Sequence, residues 1–189
     1  MSHTTIAAVV YAEGQGPRID EMLVDVVARL RQSGAKLSGA IQHNTDDGDR
    51  CRCDMTLEDL AGGRLIDISE RRGPQSRGCR LNSFALEEIV GIVEASLAHE
   101  PELLVINRFG KRESEGHGFR QAIERAMSQS IPVLVAVSEN QREAFQNFAT
   151  PFANELAFAP DAIHSWCTSV MPSLKTSAPS QHAATSATA

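Results

Sequence analysis

The sequence predicts an α/β domain of three layers built on a mostly parallel sheet. Three observations lead there. Short β-branched or apolar runs alternate along the chain with segments whose apolar residues recur at helical spacing. Two of the runs, 103–106 and 131–137, are continuously apolar, the pattern of strands buried on both faces. A glycine-containing loop joins the first run to a helical segment and a second run follows, which is the order of a parallel crossover.

Residues 4–11, TTIAAVVY, form the first strand, ended by Gly14, Gly16 and Pro17. Ile19, Met22, Leu23, Val26, Val27 and Leu30 then fall on one helical face, and Gly34 ends that helix. LSGAIQHN, residues 37–44, is the second strand. After a turn at 45–50, Cys53, Met55 and Leu57 alternate with Asp54, Thr56 and Glu58, so this strand is half-buried. Gly62 and Gly63 turn the chain into RLIDIS, which makes an inserted β-hairpin.

ERRGPQSRGCRLN has no period and is read as a loop. Leu86, Ile89, Val90, Val93 and Leu97 mark a helix that Asn82 or Ser83 can cap, with Glu87 and Glu88 near its positive end. The strand at 103–106 and a charged loop follow. Phe119, Ala122, Ile123, Ala126 and Met127 then define another helix. After the strand IPVLVAV, Ser138 and Gln141 have the spacing of a capping box for the helix carrying Phe145 and Phe148. An edge strand is expected near Leu156 to Phe158. Pro160 starts a last helix with Ile163, Trp166 and Val170 inward.

The 189 residues suit one domain, assigned to 1–171; from Pro172 onward the chain is Ser, Ala, Thr and Pro-rich and is expected to be a disordered tail. The net charge of -6 argues against a nucleic-acid footprint over the whole surface. No apolar run is long enough to span a membrane, and the N-terminus lacks the basic region of a signal peptide, so a cytoplasmic location is expected. Of the four cysteines, Cys51 and Cys53 form a C-x-C, not the C-x-x-C of a zinc knuckle or redox helix, and no metal site is assigned.

In such folds ligands bind beyond the carboxyl ends of the strands. Three loops are expected there. The first is 12–20, AEGQGPRID, where Gly14 and Gly16 let backbone N–H groups approach an anion at a helix N-terminus, beside Arg18. It lacks the Lys-Ser or Lys-Thr of a Walker A motif, and Glu13 and Asp20 would repel phosphate. The second holds Arg71, Arg72, Arg77 and Arg80, whose guanidinium forks suit tetrahedral oxyanions. The third follows the 103–106 strand. Asn107 and Arg108 stand at its mouth, Lys111 and Arg112 can meet an anion, and Glu113 or Glu115 can orient water; Gly110, Gly116 and Gly118 make it pliable. His117 is a candidate proton carrier.

Three short motifs together carry a resemblance. Cys53-x-Met55 follows a basic turn, Gly78-Cys79-Arg80-Leu81 precedes a helix, and Asn107, Phe109, Gly110, Lys111 and Glu113 follow a strand. Over roughly residues 5–170 the chain resembles an uncharacterised bacterial domain family often labelled as associated with molybdenum ABC transport. Asn82 replaces the family's Asp, and Arg108 its Lys. The layout also resembles a degenerate relative of the thermophilic nucleoside-triphosphatase family of P-loop proteins. That resemblance implies a P-loop NTPase-like fold, with Arg18-Ile19 where Lys-Thr would stand and Asn107 where an acid would hold metal.

Three functions are carried forward. The first is binding of a small anion, a nucleotide phosphate or a molybdate-type oxyanion, by Gly14, Gly16, Arg18, Arg77, Arg80, Asn107, Arg108 and Lys111. The molybdenum label implies molybdate as a ligand and proteins of molybdate transport or molybdoenzymes as partners. The second is a divergent nucleoside triphosphatase needing Mg²⁺, with Glu113 positioning water and Lys111 stabilising phosphoryl charge. The third is a thiol-based metal or redox module on Cys53 and Cys79.

Overall fold

The structure is a computed structural model that describes residues 6–45, 54–70 and 80–171, with Thr45, Asp54, Glu70 and Arg80 described through their backbone alone. The predicted alternation is present. Strand β1 (Ile6–Tyr11) leads to helix α1 (Gly16–Gln32) and strand β2 (Leu37–Thr45). Strands β3 (Asp54–Asp59) and β4 (Leu65–Asp67) form the inserted hairpin. A two-residue ribbon, β5 (Ser69–Glu70) with β6 (Arg80–Leu81), joins the two ends of the arginine-rich loop. The sequence showed no sign of it, because two residues are too few to display a period.

Helix α2 (Ser83–Ser96) follows, capped as expected: Asn82 Oδ1 accepts from the backbone N–H of Phe84 and Ala85. Next come β7 (Leu103–Phe109), the single turn α3 (Lys111–Ser114), α4 (Arg120–Ser128) and β8 (Val133–Ser138). Helix α5 (Arg142–Ala149), edge strand β9 (Ala153–Leu156) and α6 (Pro160–Val170) complete the described chain. Two details differ from expectation. Ser138 makes no side-chain cap, and a 3₁₀ turn at Glu139–Gln141 leads into α5 instead. On α6 the buried positions are Ile163 and Cys167, with Trp166 only partly covered.

The main sheet has seven strands in the order β4-β3-β2-β7-β8-β1-β9. From β2 to β9 all pairings are parallel, and the hairpin adds two antiparallel strands at one edge. Two apolar cores flank it. Leu104, Ile106, Val133 and Val135 pack with residues of α2, α4 and α5 on one side. Leu103, Val105, Leu134 and Ala136 pack with those of α1 and α6 on the other. These are the two outer layers of the expected three.

Two features of this scaffold set the rim where the parallel strands end. At Gly39, opposite Val105, φ is +118° and a Cβ would overlap the Val105 carbonyl oxygen, so β2 reaches β7 only through glycine. At the end of β7, Ile106 lies opposite Val135 while Phe109 lies opposite Val137. Three steps on one strand match two on the other, so β7 carries one extra residue at Asn107–Arg108, a β-bulge.

Candidate site at the carboxyl rim of the sheet

The bulge sets which way each side chain faces. Strict alternation from Val105 and Ile106 would send Asn107 toward α1, Arg108 away from it and Phe109 back toward it. Instead Phe109 joins the opposite core, stacked on Phe148 with ring centroids 5.5 Å apart and edge-on to Phe145 at 5.3 Å. Both Asn107 and Arg108 are left to reach α1. The strand that looked apolar over four residues therefore runs three residues further, with a polar pair inside it.

Both side chains meet Asp20, the fifth residue of α1, which is 1% exposed. Asn107 Nδ2 donates to Asp20 Oδ1 at 3.0 Å. Arg108 NH2 donates to Oδ2 at 2.8 Å, a charge-assisted pair. From β2, Asn44 Nδ2 donates to the same oxygen at 2.7 Å, and Gln42 Nε2 approaches it at 3.5 Å. Gln42 also donates to Asn44 Oδ1 at 2.7 Å. The acid thus joins α1, β2 and β7. Among the described residues, two buried atoms in this group have no partner, Asn107 Oδ1 and Arg108 Nε.

The guanidinium of Arg108 is placed by three neighbours. Asp20 holds one nitrogen, the Tyr11 ring lies 5.9 Å from its carbon, and a Cβ on Gly16 would come within 3.2 Å of NH2. Glycine at position 16 thus lets a cation lie against the start of α1. Burial pushes the Tyr11 phenol above its ordinary pKa, against the lowering pull of Arg108. The 12–15 turn is closed on itself. Gln15 N–H donates to the Ala12 carbonyl, and Ala12 N–H donates to Gln15 Oε1. Gly14 takes φ +81° to make that turn. No side chain caps α1, and Pro17 lacks an N–H. Among the described residues the Gly16 and Arg18 N–H groups of the first turn meet no acceptor.

The remaining candidates lie elsewhere. The Arg18 guanidinium rests over the Phe158 ring at 5.4 Å. Lys111 is largely exposed, with Nζ 3.7 Å from Glu115, and no contact among the described residues joins it to Asp20. Glu113 is buried and committed to its own loop: Oε2 accepts from Gly110 N–H at 2.9 Å and Oε1 from Phe119 N–H at 3.1 Å. Arg112 donates to Glu87 and Ser83 on α2. Arg71, Arg72, Arg77, Cys51, Cys53, Cys79 and the side chain of Arg80 lie outside the described residues. The described thiol, Cys167, is buried, and burial pushes it up to about 12.

Asp20 was legible only as a repeller of phosphate. Yet it sits three residues before Leu23 and seven before Val27, so it falls on the apolar face of α1. An acid on that face is a signal of a buried, partnered carboxylate. Tyr11, Gln42 and Asn44 carried no such mark.

Residues 6–166 match the model of the family described as "Protein of unknown function (DUF2478)". The chain belongs to this DUF2478 family. A curated relative is the "Molybdenum import ATP-binding protein ModC 2" of Bradyrhizobium diazoefficiens, 32% identical over 161 residues. That match covers 85% of this chain and 18% of the relative, so the chain spans under a fifth of that protein. Among solved structures, the crystal structure of THEP1 from the hyperthermophile Aquifex aeolicus superposes with a TM-score of 0.59 at 14% identity, covering 88% of this chain and 98% of that one. The DUF2478 chain therefore shares the α/β, mostly parallel fold of that protein. No helix of the described residues is long and apolar enough to cross a membrane.

Mg²⁺, which P-loop nucleotide sites hold through a helix hydroxyl and a strand acid, does not fit the donors present here. The first turn of α1, Gly16-Pro17-Arg18-Ile19, has no hydroxyl, and β7 offers the neutral Asn107. Asp20 already accepts N–H donors on both oxygens, one from a cation.

Proposed function

We propose that this DUF2478 domain binds a small oxyanion group at the rim between the first turn of α1 and Arg108. The observation that carries this reading is the placement of the Arg108 guanidinium against Gly16, fixed by Asp20 and open to solvent over 40% of the side chain. A ligand oxygen there meets the free N–H groups of Gly16 and Arg18, the positive end of the helix and one side of a guanidinium. Glycine at 14 shapes the turn, and Asn107 helps orient Asp20. Arg77 and Arg80 belong to the same reading by residue type alone.

The name of the ModC 2 relative supplies two candidate anions, a nucleotide phosphate and a molybdate-type ion. It also supplies the setting, an association with molybdate transport. Binding is favoured over turnover, because Glu113 spends both oxygens on backbone N–H groups and Lys111 lies apart from the Asp20 group. Titration calorimetry on the full chain with molybdate, phosphate, ADP and ATP tests the reading. At least one should give saturable heat, lost in an Arg108→Ala variant that still melts cooperatively. No saturable heat from any of the four would overturn it.

A further inference from the structure

We infer that Arg108 takes the place of the divalent cation in this P-loop-like site, so that the oxyanion is bound free of metal. This rests on the reading just given and adds the chemical form of the ligand.

The argument runs from donors. Mg²⁺ demands several oxygen ligands in a near-ideal octahedron. The buried acid between α1 and β7 is Asp20, and a carboxylate offers about four lone-pair sites. Asn107, Asn44, Arg108 and, at the longest distance, Gln42 direct four donors at it. A metal could enter only by displacing a charge-assisted bond. It would also have to sit beside the guanidinium, whose charge opposes a second cation. Among the described residues, the fully buried oxygen left unpaired nearby is Asn107 Oδ1, a neutral ligand at best. Its amide orientation is fixed, since the other end donates to Asp20. Among the described residues no group of three His, Cys, Asp or Glu side chains could hold a metal instead.

The same features describe a cation that is built in. The bulge in β7 turns Arg108 toward α1, Gly16 gives it room, and Asp20 holds it with enough side chain exposed to meet a ligand. Buried Nε has no acceptor among the described residues. A nucleotide chelated to Mg²⁺ would present its metal to this guanidinium, whereas a free phosphate or molybdate would present oxygen. The site should therefore favour unchelated oxyanions. The two sources differ in their response to Mg²⁺: ADP loses free ligand to chelation, while molybdate does not.

The test is calorimetry of the full chain with ADP and with molybdate, each in EDTA and in excess Mg²⁺. The expected result is full affinity in EDTA, unchanged by Mg²⁺ for molybdate and weakened by it for ADP. An Arg108→Gln variant, which keeps an N–H for Asp20, should lose at least tenfold in affinity, and Arg108→Lys should lie between. An affinity that appears only with Mg²⁺ would overturn the inference and leave oxyanion binding standing. Absence of binding in all four conditions would overturn this inference, and the binding reading falls with it when phosphate and ATP give no heat either. Mn²⁺ alone, followed by electron paramagnetic resonance, gives an independent check. A bound signal lost in Asp20→Asn would count decisively against a built-in cation.

Discussion

Asp20 and Glu113 are both buried acids near the carboxyl end of the parallel strands, 1% and 5% exposed. Their partners separate them. Asp20 takes side-chain donors from β2 and β7, elements distant in sequence. Glu113 takes backbone N–H groups three residues before it and six after it. The first acid gathers polar groups of α1, β2 and β7 at the rim. The second shapes a loop, and Gly118 leaves room for it, because a Cβ there would overlap Glu113 Oε1. Burial of a carboxylate says that partners exist; which groups they are says what it is for.

This contrast can be broken by substitution. The largest effect is expected from Asp20→Ala, which leaves Arg108, Asn107 and Asn44 without their acceptor. Thermal melts should show a loss of about 3 kcal/mol, the low end for a broken buried pair because Arg108 is partly solvated, and calorimetry should show oxyanion binding abolished. An Asp20→Ala protein with wild-type affinity would place the site elsewhere. Glu113→Gln comes next, at roughly 1–2 kcal/mol, since an amide has one accepting oxygen where the carboxylate used two. Its anion affinity should be unchanged, and a large loss of affinity with little loss of stability would reverse the roles of the two acids.

Gly16→Ala sharpens the comparison from the other side. Position 16 has an ordinary φ, so stability should move by less than about 1 kcal/mol. The added methyl would shift the guanidinium, and affinity should fall about tenfold, or 1.4 kcal/mol. The smallest effect belongs to Lys111→Ala. Its exposed, loose pair with Glu115 should matter by less than about 0.5 kcal/mol, and affinity should stay within about twofold. A tenfold loss would return Lys111 to the site.

The architecture was legible because its signals are periodic and long. The stripe from Ile19 to Leu30 and the run at 131–137 each repeat enough to fix type and facing. The rim was legible by place, through the rule that ligands gather where parallel strands end, and Gly16 and Arg108 were named for it. Their mutual placement was not legible. It depends on one unpaired residue in β7, and a bulge leaves no mark in hydrophobic pattern when the residues involved are polar. Glu113 was named as a candidate for positioning water from residue type and loop position, which are the same for a group that holds backbone. That its two oxygens accept from Gly110 and Phe119 N–H was not legible.

The extra residue in β7 makes the chemistry of the rim a matter of parity. Side chains along a regular strand switch sides at every step, so the unpaired position is what keeps the benzyl ring on the side of Ile106 while the guanidinium points at α1. Taking one residue out would only trim the site, leaving Phe109 in place and one polar side chain toward Asp20. Pairing every residue without the bulge would exchange the contents, setting an aromatic ring against Asp20 and driving a positive charge between Phe145 and Phe148.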